Sequence, residues 1–249
     1  MRKRAAGLLA AVLMVGLAAY ANDPWKDKDP QSWDEKDVQR ILQDSPWSHK
    51  VQFGTSGGGA VPGTVTGTGS QAHPETGATN ANQGMPTGIA GTTVNATTGN
   101  LGPETDFSIS WVSSRTVREA QARRRELGGV PPSIARRDLA KPAEDYEVMV
   151  ASSDMSVLAK ESEEELKAHA ALILKSNKAN VSPSRVVLQR GQTGQVSAII
   201  FVFEKKSANG EPTLAPNEKG ADFVTQAGKT RLKVSFDFTK MKDRQGLDL

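Results

Sequence analysis

Residues 54–102 contain 13 Gly and 11 Thr, few large apolar side chains and one formal charge, Glu75. Such a tract buries too little apolar surface to offset the entropy of ordering it, so it reads as a long disordered loop or linker. The folded part must then be built from its flanks. This divides the chain into residues 1–21, a charged and Trp-rich segment over 22–53, the Gly/Thr-rich loop over 54–102, and an α+β unit over 103–249 that packs with 22–53. Within the last part, 103–143 holds a strand, an Arg-rich helix and a Pro-rich linker, and 144–249 the compact remainder. The sequence has no Cys, which excludes disulfides, thiolate metal sites and Cys nucleophiles and leaves the fold to rest on its core.

Residues 1–21 read as a cleavable signal peptide. Met1-Arg2-Lys3-Arg4 forms a basic start, Ala5 to Ala19 an apolar run, and Ala19-Tyr20-Ala21 places small residues where a signal peptidase reads them. Cleavage after Ala21 leaves Asn22-Asp23-Pro24 as the new N-terminus. Arg2, Lys3 and Arg4 account for the whole net charge of +3, so the mature chain is neutral. A neutral exported chain has no general attraction for nucleic acid or anionic membrane. The expected location is periplasmic or secreted, with no membrane span after cleavage and, lacking a Cys at the cleavage site, no lipid anchor.

Three segments carry a capping-box signature that starts a helix: Ser32 to Glu35, Thr116 to Glu119 and Ser162 to Glu165. After Ser32, Val38, Ile41 and Leu42 recur at helical spacing until Asp44-Ser45-Pro46. After Thr116 the helix is dominated by Arg118, Arg123, Arg124 and Arg125 and stops at Gly128-Gly129. After Ser162, Leu166, Ala170, Ile173 and Leu174 form an apolar stripe with Lys175 in the last turn. Strands are expected at Phe107 to Trp111, Tyr146 to Val150, Arg185 to Gln189 and Val196 to Phe203, the last apolar on both faces and therefore central. Asp222 to Gln226 and Thr230 to Phe238 flank Ala227-Gly228-Lys229 as a hairpin, with Leu232, Val234, Phe236 and Phe238 toward a core. This order predicts an α+β fold, mainly antiparallel sheet with helices packed on one face.

Motifs for chemistry fail on context. Gly54-Thr55-Ser56-Gly57-Gly58 matches a nucleophile elbow, but Gly59, Pro62 and Gly63 forbid the helix that must follow. Gly67 to Ala72 resembles a dinucleotide fingerprint, yet His73-Pro74 stands where the helix should begin. His49, His73 and His169 lie far apart with no zinc spacing. Asp27 starts no EF-hand, because Ser32 and Val38 occupy its sixth and twelfth positions. No cofactor or metal is therefore expected, and no catalytic residue is assigned.

Two clusters remain as contact candidates. Trp25, Trp33 and Trp47 lie close together, either as a clasp packed on the sheet or as an exposed patch for a protein or glycan. Arg123, Arg124 and Arg125 either form a solvated face or meet an acidic surface. The segment Asp23-Pro24-Trp25, Trp33, Asp37-Val38, Ile41-Leu42 and Asp44-Ser45-Pro46-Trp47 resembles the opening of a group of uncharacterised exported bacterial proteins. They are similar in a following Gly-rich insertion, an Arg-containing helix and an ending like Phe223-Val224-Thr225, Lys233, Phe236, Lys240-Met241 and Gly246-Leu247-Asp248-Leu249. Some carry a Gly-Trp-x-Thr-Asp label, and that motif is absent here. The resemblance implies export and bacterial origin and points to no known activity, substrate or catalytic residue. The first expectation is thus a non-catalytic binding or structural protein of the envelope, acting on an envelope protein or glycan. The alternative is a hydrolase of cell-wall or extracellular polymers, with Glu147, Asp154, Asp222 or Asp237 as its carboxylates.

Overall fold

Alternation of large apolar and short polar side chains along the strands builds two antiparallel sheets with a shared core between them. The structure, a computed structural model, describes residues 23–53, 105–228 and 230–249. Residues 1–21, expected to be a signal peptide, the 54–102 tract and the two glycine-rich motifs within it lie outside the described residues. The first sheet has the order β1-β2-β3-β7-β6: β1 Ser48–Phe53, β2 Thr105–Trp111, β3 Tyr146–Ser152, β7 Val196–Phe203 and β6 Arg185–Arg190. The second has the order β5-β4-β8-β9: β5 Asn180–Val181, β4 Ala170–Leu174, β8 Gly220–Ala227 and β9 Thr230–Asp237. The fold is α+β, with the strands divided between two sheets.

Aromatic side chains join the sheets. Phe201 of β7 meets Phe223 of β8 at 5.2 Å between ring centroids, and Trp111 of β2 meets Phe236 of β9 at 5.2 Å. Each fully buried aromatic of this kind contributes about 1.5–3 kcal/mol of transfer free energy. Along β9, Leu232, Val234 and Phe236 are buried while Arg231, Lys233 and Ser235 are exposed, the alternation the sequence displays. Strand β7 is an interior strand, buried along most of its length. Gly220 is required at the start of β8, because a Cβ there would stand 2.3 Å from the Phe236 carbonyl oxygen.

The helices are short: α1 Pro24–Asp27, α2 Glu35–Gln43, α3 Arg115–Leu127, α4 Pro132–Ala135 and α5 Glu163–Ala168. Helix α2 packs on α3 and reaches β1 and β2, and α4 packs on α3. Val38 and Ile41 of α2 and Val117 and Ala120 of α3 join the common core. Helix α5 stands apart from these, against β6 and β8. A small hairpin, β10 Lys242–Asp243 and β11 Gly246–Leu247, follows β9.

Three local expectations are corrected. The α2 cap is Asp34, which accepts from the Asp37 N–H at 2.8 Å while the Asp37 carboxylate accepts from the Asp34 N–H; Ser32 ends a 3-10 turn before it. The α3 cap is Ser114, and Thr116 is buried inside the first turn. Ser162 and Glu165 do form their capping box, but the helix ends at Ala168 and the apolar stripe beyond it is strand β4.

Candidate functional site

The three N-terminal tryptophans are interior residues. Trp25, Trp33 and Trp47 are 4 %, 1 % and 0 % exposed. Trp33 donates its indole N–H to the Pro24 carbonyl at 3.1 Å, and Trp47 donates to the Asp248 carbonyl at 2.7 Å. Trp25 stands edge-on to Trp47 at 5.6 Å with the Arg40 guanidinium over its ring. This burial fits the clasp rather than the exposed patch, with Trp25 and Trp33 reaching only the edge of a small cleft.

The arginines divide. Arg123 donates to the Trp33 carbonyl at 2.8 Å and to Glu126 at 3.2 Å, so it ties α3 to the N-terminal segment. Arg118 and Arg125 lie two turns apart on one face of α3. Arg118 donates to the carbonyls of Asp138 and Lys141, and Arg125 to those of Ala135 and Ile134. Together they staple the Pro-rich stretch along the helix. Arg124 alone of the three candidates makes no hydrogen bond or ion pair among the described residues. It lines a groove of about 400 Å³ between α2 and α3 with Val38, Leu42 and Leu127, the last 46 % exposed.

A second site lies at the head of α3, where both ends of the described chain meet. Asp248 accepts from the Arg115 and Thr116 N–H groups at 2.7 and 2.8 Å, capping a helix that begins 133 residues earlier. Arg115 pairs with Asp243, Arg244 with Asp29 at 3.4 Å, and Arg136 with Glu126. Arg115, Arg136, Asp243, Arg244 and Asp29 line a cleft of about 190 Å³ that also touches Trp25 and Glu119. The Glu119 carboxylate receives no hydrogen bond or ion pair among the described residues. Burial raises its pKa, the field of Arg115 opposes that, and Asp243 adds to the rise. The sequence places Glu119 at the end of the expected Thr116 capping box; in the structure Arg115, Arg118, Arg123 and Arg125 all take acceptors other than Glu119.

The four carboxylates of the hydrolase alternative form no common pocket. Glu147 lies on β3 beside a shallow groove with Met149 and Ile200. Asp154 follows β3 and accepts from Ser156, whose hydrogen bonds lower its pKa. Asp222 and Asp237 share the outward face of β8 and β9. Burial would raise Asp222, but hydrogen bonds from Lys233 and Ser235 outweigh it and lower its pKa; Thr239 lowers Asp237. Carboxylates held ionised in this way are poor general acids. No group of three or more metal-ligating side chains occurs among the described residues, and no helix there is long and apolar enough to cross a membrane. No family model matches the sequence, and neither does any curated protein or solved structure.

Proposed function

We propose that this is an exported bacterial envelope protein that acts by binding, and that its contact surface for an envelope protein is the α2–α3 groove. The observation that carries this reading is the Arg124 side chain, without a hydrogen bond or ion pair among the described residues, at a groove lined by Val38, Leu42 and the exposed Leu127 together with Glu35, Gln39 and Gln43. An arginine beside a partly exposed leucine is the composition of an interface core, where Arg is enriched. The fitting partner is a protein segment that places an apolar side chain on Leu42 and Leu127 and a carboxylate on Arg124. Export rests on the N-terminal sequence and on the resemblance to exported proteins at both ends of the chain.

The test uses the full-length chain expressed in a bacterial host of its own type. The protein recovered from the envelope fraction is expected to begin at Asn22. A photo-crosslinking residue placed at position 127 is expected to capture a discrete protein, and the same residue at Lys178, on the exposed turn after β4, is not. Arg124→Glu should abolish the adduct. Equal capture from both positions, or an adduct indifferent to Arg124→Glu, would overturn the groove as the contact surface. Recovery of uncleaved protein in the cytoplasm would overturn export.

A further inference from the structure

The cleft at the head of α3 contains polar groups that the fold leaves unused, independently of the α2–α3 groove. Arg115 commits Nε and Nη2 to Asp243, and Arg136 commits Nε and Nη2 to Glu126. Nη1 of each makes no hydrogen bond among the described residues. Glu119 feels the charge of both guanidinium groups yet is bonded to neither. Trp25 also lines the cleft, is 4 % exposed, and has an indole N–H without an acceptor among the described residues. A buried donor of this kind is ordinarily satisfied, and an unmet one costs stability, whereas Glu119, Arg115 and Arg136 are only partly buried.

An unused carboxylate and unused guanidinium N–H groups in one small space define the complementary ligand. A simple anion would be attracted by Arg115 and Arg136 but repelled by Glu119, Asp243 and Asp29. A simple cation would meet the opposite difficulty. A ligand with an ammonium at one end and a carboxylate at the other satisfies both sets through charge-assisted hydrogen bonds. The volume, below the ~300–1,000 Å³ of drug-sized pockets, restricts it to a small molecule. Arg244 and Asp29, which also line the cleft, form an exposed pair at 3.4 Å that contributes little.

We propose that this cleft binds a small zwitterion of the amino-acid class, with its ammonium on Glu119 and its carboxylate on the free N–H groups of Arg115 and Arg136. Glu119 is then a binding residue, and the uncommitted charge at the head of α3 is the signature of the site.

The test is calorimetric titration and thermal melting of the mature protein with glycine, L-alanine, D-alanine and glycylglycine. Acetate and methylammonium serve as the two half-ligands. At least one zwitterion is expected to raise Tm by about 5 °C at a hundredfold excess over its Kd. Neither half-ligand should reproduce this at the same concentration. Glu119→Gln should weaken binding at least tenfold, while Glu164→Gln, exposed on α5 and outside the cleft, should leave it unchanged. In the wild-type protein the Trp25 indole N–H resonance should move on titration, a readout that needs no variant to fold. No binding by any zwitterion, equal binding by acetate alone, or a Trp25 resonance that stays still at saturation would each overturn the proposal.

Discussion

At Glu119 and His49 burial acts on opposite kinds of group, and the two signs separate in a pH titration. Glu119 carries a raised pKa, so between the unfolded value near ~4.3 and the native value the folded state holds the extra proton. Stability from this site therefore falls as pH rises through that window. Glu119→Gln is expected to melt progressively higher relative to wild type as pH rises above the unfolded value, even as it loses ligand. His49 is the reverse case. Its ring packs at 5.3 Å from Phe236, its Nε2 has no partner among the described residues, and desolvation lowers its pKa. The folded state resists protonation, so stability is lost as pH falls from the unfolded value of ~6.5 through the native one. His49→Phe is expected to flatten the fall in Tm between about pH 7 and about pH 5. An unchanged slope in that variant would assign the acid sensitivity to other groups, such as Glu218. Burial would raise Glu218, but hydrogen bonds from Ser176, Gly220 and Lys219 outweigh it and hold its pKa low.

At the scale of elements, the N-terminal segment and the C-terminal hairpin form one latch. Trp47 fills the space behind β1 and reaches the Asp248 carbonyl, while the Asp248 carboxylate caps α3. Trp47→Ala is expected to cost about 3–5 kcal/mol, and Asp248→Ala about 1–2 kcal/mol through the lost cap. Both are read by denaturant titration, with collisional quenching of tryptophan fluorescence rising in the first. A Trp47→Ala loss below about 1 kcal/mol would mean that the tryptophans pack without holding the latch. Much of this element order is legible in the sequence. The hairpin of β8 and β9 follows from the strict alternation of β9 and the turn at Gly228, and the Ser162–Glu165 box starts a helix as its spacing requires. The failures have physical causes. Ala170, Leu172 and Leu174 face the core at a period of two, but the same short apolar run satisfies a helical period when read after Leu166. Pairing with β8 decides between them, and that partner lies 50 residues further along. The Asp248 cap is invisible for the same reason. Glu119 is hidden in another way: its neighbours in sequence are arginines, and only the fold shows that Glu126, Asp243 and backbone carbonyls claim those arginines first.

The whole molecule is closed around one seam that the Gly/Thr-rich tract interrupts in sequence but not in register. Strands β1 and β2 pair antiparallel from Ser48 opposite Ser110 to Phe53 opposite Thr105. The two ends of the intervening segment are therefore direct cross-strand neighbours, the geometry that a short hairpin turn closes. Nothing in the described pairing requires a connection of that length. Replacing residues 54–104 with a four-residue Gly/Asn turn should leave the sheet, the tryptophan latch and the α3 cleft in place. Loop-closure entropy scales with the logarithm of length, so the shortened chain should gain about 2 kcal/mol, which is several degrees in Tm. The melt is expected to stay a single cooperative transition, with tryptophan emission matching the parent. Zwitterion binding in the cleft and crosslinking from position 127 should both persist, since neither site uses residues 54–104. A shortened protein that folds but no longer captures its partner would place part of the contact surface in the tract. One that fails to fold would show that the tract supplies structure which the β1–β2 register does not need.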